Sequence, residues 1–117
     1  MDGRPLDYDR FTVMAAASVL HIGLGFPLFH TAGSDPERFH FAITNAPARR
    51  IVRELPTLRT GGVRPGSCVT HHPARRVHLR FEAPQSWSID ADVQPETAEL
   101  ELSATPPLRF LMPGRRP

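Results

Sequence analysis

A chain of 117 residues with 40% hydrophobic and 22% charged content is sized and composed for one globular domain, which excludes disordered and fibrous classes. Its net charge of +2 lacks the clustered positive charge that nucleic-acid binding needs, although all fourteen basic residues are arginine. The single cysteine, Cys68, excludes an intrachain disulfide and fits a reducing compartment.

Thirteen prolines spread along the chain favour short strands joined by turns over long helices. Met1 to Asp9 is polar and reads as a lead-in. Phe11 to Leu20 is apolar on both faces and is expected to form a covered strand. It falls short of the ~20 residues that span a bilayer. Asp2, Asp7 and Asp9 stand where a signal peptide would carry basic residues. The address expected from these features is the cytoplasm, including the surface of a membrane.

Gly23 and Gly25 then break the pattern, as a plain turn or as a loop that lets a lipid or phosphate approach the backbone. Gly33-Ser34-Asp35-Pro36 is a conventional turn. Phe39, Phe41 and Ile43 alternate with His40, Ala42 and Thr44 and predict a half-buried strand. A short helix is expected next, capped by Asn45 or Ala46, with Pro47 in its first turn and Pro56 at its limit. Its arginines, Arg49, Arg50 and Arg53, could face anionic headgroups or phosphate, or simply solvent.

A loop from Gly61 to Gly66 leads to a strand over Ser67 to His71. His71, His72 and His78 have no carboxylate or cysteine at a recognised metal spacing. Val77, Leu79 and Phe81 alternate with Arg76, His78, Arg80 and Glu82. After a turn expected at Pro84 comes Trp87-Ser88-Ile89-Asp90-Ala91-Asp92-Val93. Read as one strand, it puts Trp87, Ile89, Ala91 and Val93 on a packed face, with Ser88, Asp90 and Asp92 on the other. Ala98 to Ala104 is a further strand and Leu108 to Met112 the last. The fold class expected is mainly β: an antiparallel β-sandwich with one short helix, forming a single domain over residues 1–117.

No nucleophile elbow, phosphate loop, cysteine pair or HExxH helix is present. Asp90 and Asp92 are the remaining candidates for chemistry, since a carboxylate in reach of a hydroxyl can act as general base. An ordinary solvent-facing strand has the same pattern.

The order R-R-V-H-L-R-F-E-A-P, S-I-D-A-D-V-Q-P, L-R-F-L-M-P resembles the C-terminal domain of diacylglycerol kinase-like and sphingosine kinase-like lipid kinases. F-T-V-M-A-A-A-S-V, followed by G-L-G-F, is similar to the stretch preceding these motifs, and the resemblance runs from about Arg4 to Pro113. It implies a β-sandwich that contacts lipid and supplies one catalytic carboxylate, the last acid of an Asp-Gly-Glu or Asp-Gly-Asp motif. That position is Asp92 here, with Asp90 as the supporting acid.

This chain departs from the family pattern in three places. Ala91 replaces the motif glycine, and Asp92 is one methylene shorter than the commoner Glu. The Gly-Gly-Asp-Gly-Thr loop of the nucleotide-binding domain is absent from these residues. Phosphoryl transfer is mainly positioning of nucleotide, metal and acceptor. The resemblance therefore implies ATP and Mg2+ only in a complete two-domain kinase, with a lipid substrate or membrane surface and a separate nucleotide-binding domain as partners. The alternative is a non-catalytic β-sandwich module that binds lipid or protein. A nucleic-acid-binding β-domain is disfavoured, because the arginines are scattered and the phenylalanines occupy inward positions.

Overall fold

The structure is a computed structural model that describes residues 1–6, 8–19, 29, 32, 34–59 and 67–109. Five strands and one helix follow one another as β1 (Val13–Ala17), β2 (Phe39–Thr44), α1 (Ala48–Arg59), β3 (Thr70–Ala74), β4 (Arg76–Ile89) and β5 (Asp92–Ser103). The fold is mainly β with one short helix, and both sheets are antiparallel. The first sheet has the order β1-β2-β3, and the second is the β4-β5 hairpin.

β2 is the centre of the first sheet. It pairs with β1 through Ala16↔Phe41 and with β3 through Phe41↔His72. Alternation sends Phe41 and Ile43 to one face, where they meet Ala74 and Val77 in a buried cluster. Met14, Leu79 and Leu102 pack around it, as do Met1, Leu6 and Tyr8 of the lead-in. The other face of β2 is also buried, with His40 at 1% exposure and Thr44 at 4%. The half-buried strand expected from sequence is therefore covered on both sides, because a central strand gains cover from elements distant in the chain. His40 Nε2 lies 2.7 Å from His71 Nδ1 on β3, and Phe29 meets the His40 ring edge-on at 5.4 Å.

The chain leaves β3 at Arg75 and enters the second sheet at once. Asp2 clamps this corner: its carboxylate accepts the Arg75 and Arg76 N–H groups at 3.1 and 2.8 Å, and its own N–H donates to the Arg76 carbonyl at 3.0 Å. From there β4 runs for 14 residues, about 46 Å at strand rise. The molecule measures 54 × 31 × 28 Å, with a radius of gyration of 15.8 Å against about 13–14 Å for a globular chain of this length. β4 and β5 together form a long two-stranded arm. The two sheets share a core at the base of the arm. No third strand pairs with the arm among the described residues. The expectation of a mainly β fold with one helix holds, while the face-to-face packing of a sandwich is not shown by this basal contact.

Several boundaries differ from the sequence reading. Pro84 does not turn the chain: it lies inside β4, at a bulge where the register shifts between Arg80 and Gln85. An unpaired bulge position has no ladder N–H for proline to remove. Pro56 does not end α1, which runs on to Arg59. The first intrahelical bonds of α1 go from Arg50 and Ile51 N–H to the Pro47 carbonyl, so Pro47 occupies the cap position expected for Asn45 or Ala46. Finally, β3 begins at Thr70 rather than Ser67, because the Ser67-Cys68 segment is tied to the helix instead of a strand. A turn forms over Asp35 to Arg38, with Arg38 N–H on the Asp35 carbonyl at 3.2 Å and Glu37 N–H on Asp35 Oδ1 at 2.9 Å, whereas Gly33 of the expected Gly33-Ser34-Asp35-Pro36 turn lies outside the described residues. Leu108 lies outside any strand, and Phe110 to Met112 lie outside the described residues.

Candidate functional site

Trp87 to Val93 forms a hairpin end, not a single strand. β4 stops at Ile89 and β5 starts at Asp92, and the two are partners in the ladder. The turn residues Asp90 and Ala91 have φ of +47° and +69°. Positive φ at both central residues is the type I′ pattern, whose twist matches that of the flanking strands. Aspartate tolerates this region through its short polar side chain, while alanine does so at a cost of roughly 1–2 kcal/mol.

This turn inverts the expected placement of the acids. In one continuous strand Asp92 would lie opposite Trp87 and Ile89. In the hairpin, Ile89 pairs with Asp92 and Trp87 with Gln94, and cross-strand partners share a face. Asp92 therefore lies on the Trp87/Ile89 face, while Val93, paired with Ser88, is carried to the other. Asp90 belongs to the turn and to neither face. The two carboxylates do not form a rack on one strand. The packed apolar face expected here is largely open, with Ile89 54% and Val93 80% exposed.

Ala91 stands at a position where the backbone takes a positive φ, which periodicity alone does not reveal. Ala91→Gly is expected to stabilise the hairpin end by about 1 kcal/mol, the relief of left-handed strain net of added chain entropy. Slower amide exchange at Ile89 and Asp92 would register it; unchanged or faster exchange would contradict the strain assignment.

Behind the turn lies an open groove of about 590 Å³, walled by Phe11, Met14 and Phe41 on one side and Phe81, Trp87 and Ile89 on the other. Asp90 is among its lining residues, with Gln85, Ser86 and Ser88. The Phe11 and Phe81 rings meet across the groove at a centroid distance of 5.7 Å. Trp87 is half-buried and donates its indole N–H to the Pro95 carbonyl at 2.9 Å, which fixes the ring plane across the arm. A wider opening of about 770 Å³ lies on the lead-in side and shares Phe11, Phe41 and Phe81 as walls, but Asp90 is not part of it. A mainly apolar trough with a carboxylate in its lining can take an apolar chain bearing a polar end. Sequence patterning found the aromatic residues but assigned them all to the core.

The remaining candidates are dispersed. Gly23 and Gly25 lie outside the described residues. Arg49, Arg50 and Arg53 are exposed on α1 and line neither opening. Arg50 is within 3.9 Å of Glu54, whose carboxylate accepts the Cys68 N–H at 3.0 Å and the Ser67 hydroxyl at 3.0 Å. Burial, and then Glu54 beside it, pushes the Cys68 thiol up, so the reactive thiolate is scarce at neutral pH. Cys68 in the folded protein is therefore expected to react with iodoacetamide more slowly than in urea; equal rates would contradict this environment. His78 bonds Glu99 at 2.5 Å, and with Arg80 it holds the Glu99 carboxyl below the ordinary range. Among the described residues no three His, Cys, Asp or Glu side chains come together as a metal-holding group. No described helix is long and apolar enough to cross a membrane.

Comparison with protein-family models, with curated proteins and with solved structures finds no match.

Proposed function

We propose that this chain is a lipid-binding β-module that holds an apolar chain in the groove under the β4-β5 arm. The observation that carries the reading is the groove itself: about 590 Å³, lined mainly by aromatic and aliphatic side chains, with Gln85, Ser86, Ser88 and Asp90 as its polar residues. Burying an acyl chain against such walls is favourable in proportion to the apolar area removed from water, while the carboxylate marks the end where a hydroxyl or other polar head belongs.

The protein has one tryptophan, and Trp87 is a groove wall. A diacylglycerol brominated along its acyl chains, delivered in mixed micelles, is expected to quench Trp87 fluorescence saturably. Phe81→Asp, which puts a charge into the groove wall, is expected to weaken the quenching several-fold. No quenching, or quenching indifferent to this substitution, would refute the groove as the site.

The resemblance to lipid-kinase C-terminal domains extends this reading to catalysis. In a complete enzyme Asp92 would accept the proton of the lipid hydroxyl, while ATP and Mg2+ would be held by a separate nucleotide-binding domain. Asp92 is exposed, and its carboxylate has no hydrogen-bond or ion-pair partner among the described residues, so a docked domain would have to position it. Mixing the chain with a nucleotide-binding domain, ATP and diacylglycerol tests this step. Asp92→Asn is expected to lower phosphorylation at least ~100-fold, the usual effect of losing a general base. An unchanged rate would leave the non-catalytic module as the function.

A further inference from the structure

We infer that α1 lays the protein on an anionic lipid surface, with Val52 and Leu55 entering the interface and Arg49, Arg53 and Arg59 meeting the headgroup phosphates. This goes beyond the groove and does not depend on it. The sequence of α1 has four arginines and one glutamate, and its inner and outer faces divide them unequally. Glu54, with Ile51 and Thr57, is half-buried; it is tied to Ser67 and Cys68 and lies beside Arg50. That bond set fixes the rotation of the helix.

The outer face then carries an apolar pair with cations around it. Val52 is 61% and Leu55 39% exposed, three residues apart and so neighbours on the helix surface. Arg49 precedes Val52 by three residues, and Arg59 follows Leu55 by four, so guanidinium groups lie at both ends of the apolar pair. Arg53 flanks it. Arg49, Arg53 and Arg59 form no ion pair among the described residues. Pro56 sits four residues after Val52 and has no N–H to offer its carbonyl. At 12 residues, about 18 Å, the helix lies in an interface but does not cross one.

Charge complementarity calls for an anionic partner, and the apolar pair selects which kind. A nucleic acid would use the arginines and leave Val52 and Leu55 in water, because its backbone contacts are electrostatic. A bilayer surface uses both, since interfacial helices combine buried apolar area with attraction to anionic lipid.

Flotation of the full chain with phosphatidylcholine vesicles, with and without phosphatidylglycerol, tests the inference. Binding is expected to require phosphatidylglycerol and to weaken as salt is raised. Each surface arginine contributes about fivefold near an anionic membrane, so the Arg49→Gln/Arg53→Gln double variant should lose roughly 25-fold. Val52→Ser should weaken binding further, with an unchanged circular dichroism spectrum for all variants. Binding that ignores phosphatidylglycerol or these substitutions would overturn the proposal, as would tighter binding to duplex RNA that is indifferent to Val52→Ser. Trp87 quenching by brominated lipid in neutral micelles reads the groove separately, so failure of one leaves the other intact.

Discussion

Replacing Phe41 by Ala is expected to cost about 3–5 kcal/mol of folding stability, the range for removing a buried phenylalanine and leaving a cavity. Phe41 is 1% exposed at the centre of β2 and is a member of the cluster through which the two sheets meet. Its cross-strand neighbours limit how far the site can collapse: Ala16 offers only a methyl group, and His72 already carries a buried Nε2 without a hydrogen-bond partner among the described residues. Water entering the cavity would find that nitrogen but little else, and a stable buried water needs two to four polar partners. A domain of this length has a total stability of roughly 6–18 kcal/mol, so the loss is a large fraction of it. Urea unfolding followed by Trp87 fluorescence measures the effect. A loss below about 1 kcal/mol would mean that the sheets do not share this core, because a surface change such as Val52→Ala is expected to stay within ~0.5 kcal/mol.

Glu54→Ala is the second large effect, at about 2–3 kcal/mol. The side chain is 23% exposed and accepts two hydrogen bonds from the Ser67-Cys68 segment, so it joins α1 to the entry of β3. Hydrogen bonds to a charged acceptor are worth about 1.5–3 kcal/mol each, and partial exposure lets water replace some of the loss. Burial alone would raise the Glu54 carboxyl. The Cys68 N–H, the Ser67 hydroxyl, the Cys68 thiol and Arg50 together outweigh burial and hold it below its ordinary value of 4.5. A carboxyl depressed by folding contributes stability that is present above pH 4.5 and is lost as pH falls through the lowered value. Acid unfolding curves of the wild type and Glu54→Gln should therefore converge below that point and diverge above it. Parallel curves throughout would show that Glu54 is not ionised against these donors. The same variants report on the lipid-surface inference, since loosening α1 from β3 should blunt vesicle binding without altering the Trp87 groove.

How much of this was legible in the sequence differs element by element. The alternation of Phe39, Phe41 and Ile43 located β2 to the residue, because two-residue periodicity reflects backbone geometry alone. The same rule failed at Trp87 to Val93, where perfect alternation continues across a turn. A type I′ turn of two residues preserves the alternation of letters while reversing the chain, so period-two patterning does not distinguish it from a strand. The usual signal is Asn-Gly or Asp-Gly; Asp90-Ala91 lacks the glycine, and its positive φ appears only in the folded backbone. Pro84 misled in the opposite direction. It reads as a turn former, but a bulge in the β4-β5 arm accommodates it.

The sequence by itself determined the class of the fold, mainly β with one short helix, since periodicity and proline spacing follow from local sterics. It also determined which residue types were on offer for function: two acids near a tryptophan, and a helix rich in arginine. Only the tertiary structure decided which of these meet. The ladder registers carried Asp92 to the face of Trp87 and Ile89, put Asp90 in the lining of a groove, and opened that groove between segments some seventy residues apart, at Phe11 and Phe81. Which residues become neighbours depends on strand register and sheet packing. Those are long-range choices, and a pattern repeating every two residues does not encode them.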